Sequence, residues 1–190
     1  MVICRTFIVL CIKGVMDMYN INLVFPSMEM ELPALNFKRE FFDNGEKTIN
    51  GSYKLDMDKY TYSGWLQVIK DNISEDTINP RFGLSHTLFA INDEGEIIGI
   101  VNFRNSLTDF YKDSGHIGYS VRPSQRKKGY ATEILRQTLE IAKKQGFTEV
   151  YLVCKKDNDA SKKTIIKNYG SLNRTFKNNE IEYEEYHISF

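Results

Sequence analysis

The apolar and polar positions of this chain change period repeatedly, and the changes mark out an α/β domain. Residues 20–26 form a short apolar run read as a strand. Residues 28–42 are read as a helix with Pro33 near its start, ended by Asp43-Asn44-Gly45, and residues 60–73 as a second helix. Two β-rich runs, 88–91 and 97–103, flank Asn92-Asp93-Glu94-Gly95; a four-residue turn containing glycine between such runs predicts a hairpin, the central antiparallel strands. Strand, helix, strand, helix and strand then follow. Residues 117–121 are strand-like, and 130–145 are helical, with Ala131, Ile134, Leu135, Thr138 and Ala142 on one face and Gly146 as the stop. Residues 149–154 read as a buried strand, 160–168 as a helix, and 180–190 as a closing strand. The β-α-β piece predicts local parallel pairing between 117–121 and 149–154 inside a mixed sheet.

The 190 residues, 42% of them hydrophobic, are enough for one domain with a sizeable core, and no repeat or linker divides them. With 25 basic and 25 acidic side chains the formal net charge is zero, so overall balance points neither to nucleic acid nor to a disordered acidic tail. Cys4, Cys11 and Cys154 are odd in number and scattered, which fits a reducing, cytoplasmic setting with no disulfide framework and no metal site. The apolar run 6–12 is too short to span a membrane, and the residues after it lack a signal-peptidase pattern. Lys13-Gly14-Val15 can be encoded by a purine-rich ribosome-binding sequence ahead of Met18. Residues 1–17 are therefore read as a non-native or disordered extension, and 18–190 as the domain.

Residues 121–132, VRPSQRKKGYAT, join a strand end directly to a helix start. The first amides of a helix have no internal acceptor and its dipole adds positive charge there, so this junction suits a pyrophosphate. Gly129 lets the backbone approach closely, Ala131 keeps the next turn open, and Lys127 and Lys128 add charge. A solvated basic turn before a surface helix is the plain alternative. The residues match neither the G-x-x-x-x-G-K-S/T nucleotide loop nor the G-x-G-x-x-G dinucleotide turn. Four local charges without interleaved aromatics also make a poor nucleic-acid footprint.

Arg126-x-x-Gly129-x-Ala131 resembles the R/Q-x-x-G-x-G/A acetyl-CoA motif of the GNAT superfamily of N-acetyltransferases, and Asn158-Asp159-Ala160-Ser161 resembles its second coenzyme-contacting segment. Residues 115–131 are especially similar to a bacterial subgroup of predicted acetyltransferases, and the order of elements fits from about Leu23 to Phe190. The resemblance implies a GNAT-like acyl-CoA N-acyltransferase fold, a central mixed sheet flanked by helices with a splayed parallel strand pair. It implies acetyl transfer from acetyl-CoA to a primary amine through a ternary complex; the alternative is a non-catalytic acyl-CoA-binding module. Its coenzyme positions are Tyr119, Ser120 and Val121 on the strand, then Arg126, Lys127, Lys128, Gly129, Tyr130, Ala131 and Thr132, with 127–132 on the pyrophosphate, and Asn158 and Ser161 beside the arm. A β-bulge near Tyr119 would free an N–H as oxyanion donor. The partners implied are acetyl-CoA and an amine of unknown identity, without nucleic acid or membrane, and a homodimer stays open.

A lysine-like amine of pKa about 10.4 is neutral in about one molecule in 2,500 at pH 7, a cost of about 4.6 kcal/mol, whereas a thiol of pKa about 8.5 leaves tolerably as thiolate. A base therefore matters more than an acid. The tyrosine acid of many relatives falls here on Ile165. His116 is the candidate base, or else a histidine bonded to the sheet. Arg104 either binds an acidic group of the substrate or pairs structurally. Trp65 reads as packing or as a wall of the acceptor pocket, and Cys154 as inert core rather than an acyl carrier.

Overall fold

The computed structural model describes residues 20–190, so the expectation for residues 1–17 lies outside the described part. Seven strands and four main helices follow in order: β1 (Ile21–Val24), α1 (Glu31–Asp43), α2 (Tyr62–Asp71), β2 (Ser85–Asn92), β3 (Ile97–Arg104), β4 (Ile117–Val121), α3 (Tyr130–Lys144), β5 (Glu149–Lys155), α4 (Asp159–Lys167), β6 (Ser171–Asn178) and β7 (Ile181–Ser189). One sheet has the order β1-β2-β3-β4 and the other β5-β7-β6. The hairpin expected around Asn92 to Gly95 is β2 and β3, closed by Gly95 at φ +77°.

Two cores hold the fold. Side chains alternate across β3, so Val101 and Phe103 join α3, β5 and β7 in one core, while Ile100 joins α1 and α2 in the other. The α3 stripe behaves as its spacing predicts, with Ile134, Leu135, Thr138 and Ala142 fully buried. On the opposite face Phe37, Phe41, Trp65 and Phe89 interlock, with ring centroids 5.0 to 6.1 Å apart along Phe41, Phe37, Phe89 and Trp65. Trp65 is packing, as one of its two readings had it. Its indole N–H also donates to the carbonyls of Ser52 and Tyr53, both at 3.0 Å, which pins the loop before α2.

The parallel ladder expected between β4 and β5 does not form among the described residues: every ladder is antiparallel, and these two strands separate into different sheets. They touch at one isolated bridge, Gly115 with Leu152. Here His116 N–H donates to Tyr151 O at 2.6 Å, and Tyr151 N–H donates back to the imidazole Nδ1 at 3.0 Å, a side-chain atom in place of a carbonyl. Gly115 sits at φ +69°, and a β-carbon there would come within 2.7 Å of Tyr151 O, so only glycine lets the strands meet. Beyond the seam the strands part, and the expected splay runs along the whole of β4.

The candidate coenzyme site and the cavity behind it

β4 is the free edge of its sheet. Arg104 N–H donates to His116 O and Arg122 N–H to Ile98 O, bonds that bracket the strand. In an antiparallel ladder the residues between them alternate, so the backbone groups of Gly118 and Ser120 face β3, while those of Ile117, Tyr119 and Val121 face the gap. Two expectations are corrected by this register. Ser120 pairs with Ile100 and does not present its backbone to the gap. The bulge near Tyr119 is not there; the register shifts lie at Ala90/Ile91 and Leu172/Arg174. The splay alone exposes the Tyr119 N–H.

From β4 the chain passes through a helical turn, Pro123–Gln125, and reaches the start of α3 at Gly129, φ +90°. Lys127 also lies in the left-handed region at φ +62°. Left-handed residues set among negative-φ ones, here Lys127 after extended Arg126 and Gly129 at the helix start, turn N–H groups toward one concave side, the geometry that accepts an anion. The first internal bonds of α3 run from Thr132 and Glu133 to Gly129 O, so the amides before them precede the helical ladder.

The Arg126 side chain, expected on the coenzyme, is engaged within the protein. Its Nε donates to Val121 O at 3.1 Å, its two terminal nitrogens clasp Glu46 at 2.7 and 2.9 Å, and its charge lies 5.3 Å from the Phe41 ring. The Arg126 salt bridge holds the Glu46 carboxyl below its ordinary pKa. Glu40 on α1 likewise accepts the Ser124 N–H at 2.7 Å and pairs with Arg122 at 3.2 Å. The loop is thus bolted down by two carboxylates, Glu40 on α1 and Glu46 just after the helix, that the sequence did not single out: they lie 80 or more residues away and follow no motif. Lys127 and Lys128 project as exposed cations, with Lys128 Nζ on Gln125 Oε1 at 2.8 Å.

α4 closes the other side. Asn158 Oδ1 accepts the Ser161 N–H at 3.1 Å and caps the helix, leaving its Nδ2 as the outward group. Ser161 Oγ meets the Tyr119 hydroxyl at 3.1 Å, and Asn168 Nδ2 donates to Thr132 O at 3.1 Å, so β4, α3 and α4 converge. Burial pushes the Tyr119 phenol up to about 12. Ile165 is 1% exposed and packs into the core against Gly170. Cys154 is buried, and burial raises its thiol pKa, as befits inert core.

His116 and Arg104 lie apart from this convergence. The Nδ1 of His116 is occupied by the Tyr151 N–H, which fixes the neutral ring with its proton on Nε2 and no lone pair to spare. Burial, and next to it the Arg104 charge, press its pKa below the usual value. This is the arrangement of the second reading of His116, a histidine bonded to the sheet, and it stitches the seam. Arg104 lines a cavity of about 270 Å³ on the α1/α2 face, where Gly51 rests so closely on β4 that a β-carbon on it would overlap Gly118 O. Asn102, Tyr53, Lys54, Phe82 and Tyr111 share the lining.

The family model described as "Acetyltransferase (GNAT) domain" matches residues 50–169. Among solved structures the chain is similar to the microcin C7 self-immunity acetyltransferase MccE in complex with acetyl-CoA and AMP, at 18% identity and TM-score 0.65 over 90% of this chain and 93% of that one. It is similar to the ribosomal α-N-protein acetyltransferase RimL in complex with coenzyme A, at 14% identity and TM-score 0.65 over 90% and 94%. A GNAT acetyltransferase from Streptococcus pneumoniae aligns at 15% identity and TM-score 0.64 over 90% and 100%. No curated protein matches the sequence. Among the described residues no helix is long and apolar enough to cross a membrane, and no three His, Cys, Asp or Glu side chains are grouped to hold a metal ion.

Proposed function

This chain belongs to the GNAT acetyltransferase family, and we propose that it transfers the acetyl group of acetyl-CoA to a primary amine by direct attack within a ternary complex. The observation that carries this reading is the free edge of β4 running into the left-handed turn at Gly129 and the start of α3. Amides 127 to 131, with Lys127 and Lys128, are the group's pyrophosphate holders in this reading, and Asn158 Nδ2 steadies the arm from α4. Acetyl-CoA supplies the thioester carbonyl. The Tyr119 N–H, turned to the gap, is the oxyanion donor, preorganised because the ladder on its other side fixes the strand. The Tyr119 hydroxyl, held by Ser161, stays protonated at working pH and donates a hydrogen bond to the departing thiolate. No carboxylate lines the cavity behind β4, so the amine loses its proton to water before or during attack.

Coenzyme A at a hundred times its dissociation constant should stabilise the protein by about 2.7 kcal/mol, read as a rise in melting temperature. Gly129→Glu should abolish the rise by placing a side chain and a negative charge in the concavity. Equal rises in both proteins would put the coenzyme elsewhere. Thiol release with a panel of amines then separates a transferase from a binding module.

A further inference from the structure

The cavity behind β4 carries an unbalanced charge. Arg104 is largely buried, its Nη1 donates to Gly115 O at 2.9 Å, and its guanidinium lies 4.4 Å from the Tyr111 ring centroid, yet among the described residues no carboxylate pairs with it. Its Nε is buried without a hydrogen-bond partner. Burial draws its pKa down, partly opposed by Tyr111 and Tyr53, as expected of a cation short of countercharge. Lys54 adds a second cation, its Nζ 5.0 and 4.9 Å from the Tyr53 and Phe82 rings, and Arg81 a third just outside, 4.8 Å from Phe110.

The cavity wall is held in a costly shape. Tyr53 and Lys54 both adopt positive φ, +45° and +75°, a conformation non-glycine residues occupy only when their surroundings impose it. Trp65 supplies that constraint through the Ser52 and Tyr53 carbonyls. Asn102, 1% exposed, lines the same cavity with its Oδ1 lacking a donor. Aromatic walls alone would also suit a cation, but here the rings are already faced by the chain's own cations. A polyammonium ligand entering would meet like charge at close range, whereas an anion would supply the countercharge Arg104 lacks. Arg104 Nη2 lies 3.9 Å from where a β-carbon on Gly118 would sit, one residue from the Tyr119 amide that faces the gap.

We propose that the amine acceptor carries an acid function, a carboxylate or phosphate, beside a flat apolar body, and that Arg104 binds the acid while the Tyr53, Phe82 and Tyr111 rings hold the body. The proposal rests on the acetyl-transfer reading for the word acceptor, but not for the binding itself. The arrangement places the acid close to the reacting edge, so the amine and the acid sit a few bonds apart. The same positive field disfavours an ammonium and favours the neutral amine that attacks.

The test is calorimetric titration of the protein, saturated with coenzyme A, with 3-phenylpropionate, phenyl phosphate, 3-phenylpropanamide and spermidine. At least one of the two acids should bind ten times more tightly than the amide, about 1.4 kcal/mol, with spermidine weakest, and which acid is tighter identifies the acid group. Arg104→Met should reduce the gap to less than about threefold while the coenzyme A melting shift persists. If that variant does not fold, Lys54→Met, which leaves the Gly115 contact intact, should still narrow the gap about threefold. Amide binding as tight as both acids, no detectable binding of either acid, or a gap unchanged in the variants would overturn the proposal. A preserved coenzyme A shift beside such a failure would leave the acetyl-transfer reading standing; a lost shift with acid selectivity intact would do the reverse.

Discussion

His116 is held by two bonds to one residue: its backbone N–H reaches Tyr151 O, and its ring accepts the Tyr151 N–H. Because burial lowers its folded pKa below the unfolded value of about 6.5, the unfolded chain takes up the proton more readily. Its contribution to stability is then full above pH 6.5 and shrinks as pH falls from 6.5 toward the folded pKa. His86, pressed down by burial as well, acts in the same window. His116→Gln keeps an acceptor for the Tyr151 amide and removes one titration, so the fall in melting temperature between pH 6.5 and 5 should be shallower, with turnover changed less than about threefold. A hundredfold loss of turnover at unchanged melting temperature would restore the histidine to the chemistry. Position and polarity drew attention to His116 in the sequence; what the ring's nitrogen was bonded to could not be read there, because the partner is a backbone amide 35 residues on. Ile165, noted in the sequence only as the position where many relatives carry a tyrosine, is buried in the core.

At the level of elements, strong periodicity made α3, α4 and the hairpin legible, and their ends fall within a few residues of the expected bounds. β6 escaped notice for a physical reason. It is an edge strand exposed along almost its whole length, so no alternation of apolar and polar residues is imposed on it. Its turn is carried by Asn179 and Glu180, both at positive φ, the two-residue hairpin geometry without its usual glycine. The loop between β4 and α3 stood out in the sequence as a strand-to-helix junction, but the carboxylates of Glu40 on α1 and Glu46 just after it, which fix the loop, follow only from tertiary packing. Glu46→Gln would weaken the clasp on Arg126 without touching the concavity. Coenzyme A affinity should fall about tenfold through lost preorganisation, with melting temperature shifted by no more than 2 °C or so, since the pair is partly exposed. Unchanged affinity would mean the loop holds its shape unaided.

Over the whole molecule, two sheets meet at one seam and diverge, which leaves the Tyr119 and Val121 amides unpaired on the gap side while Gly118 and Ser120 are locked in the ladder. Hydrogen exchange should show that alternation: fast exchange at 119 and 121 in the free protein, slow at 118 and 120, and marked slowing at 119 on adding coenzyme A. Uniform exchange along β4 would mean that the gap closes in solution. Helix α1 has a part on each side of this arrangement. Its Glu40, with Glu46 just beyond its end, braces the loop before Gly129, and its Phe37 and Phe41 pack in the cluster with Trp65, which fixes the wall beside Arg104. Thermodynamic reciprocity follows for ligands in the two places: whatever factor one imposes on the other's affinity is returned in full. An affinity measured for either alone therefore describes a reference state, and a strong, slowly leaving product in one place would tax the next arrival in the other by that same factor.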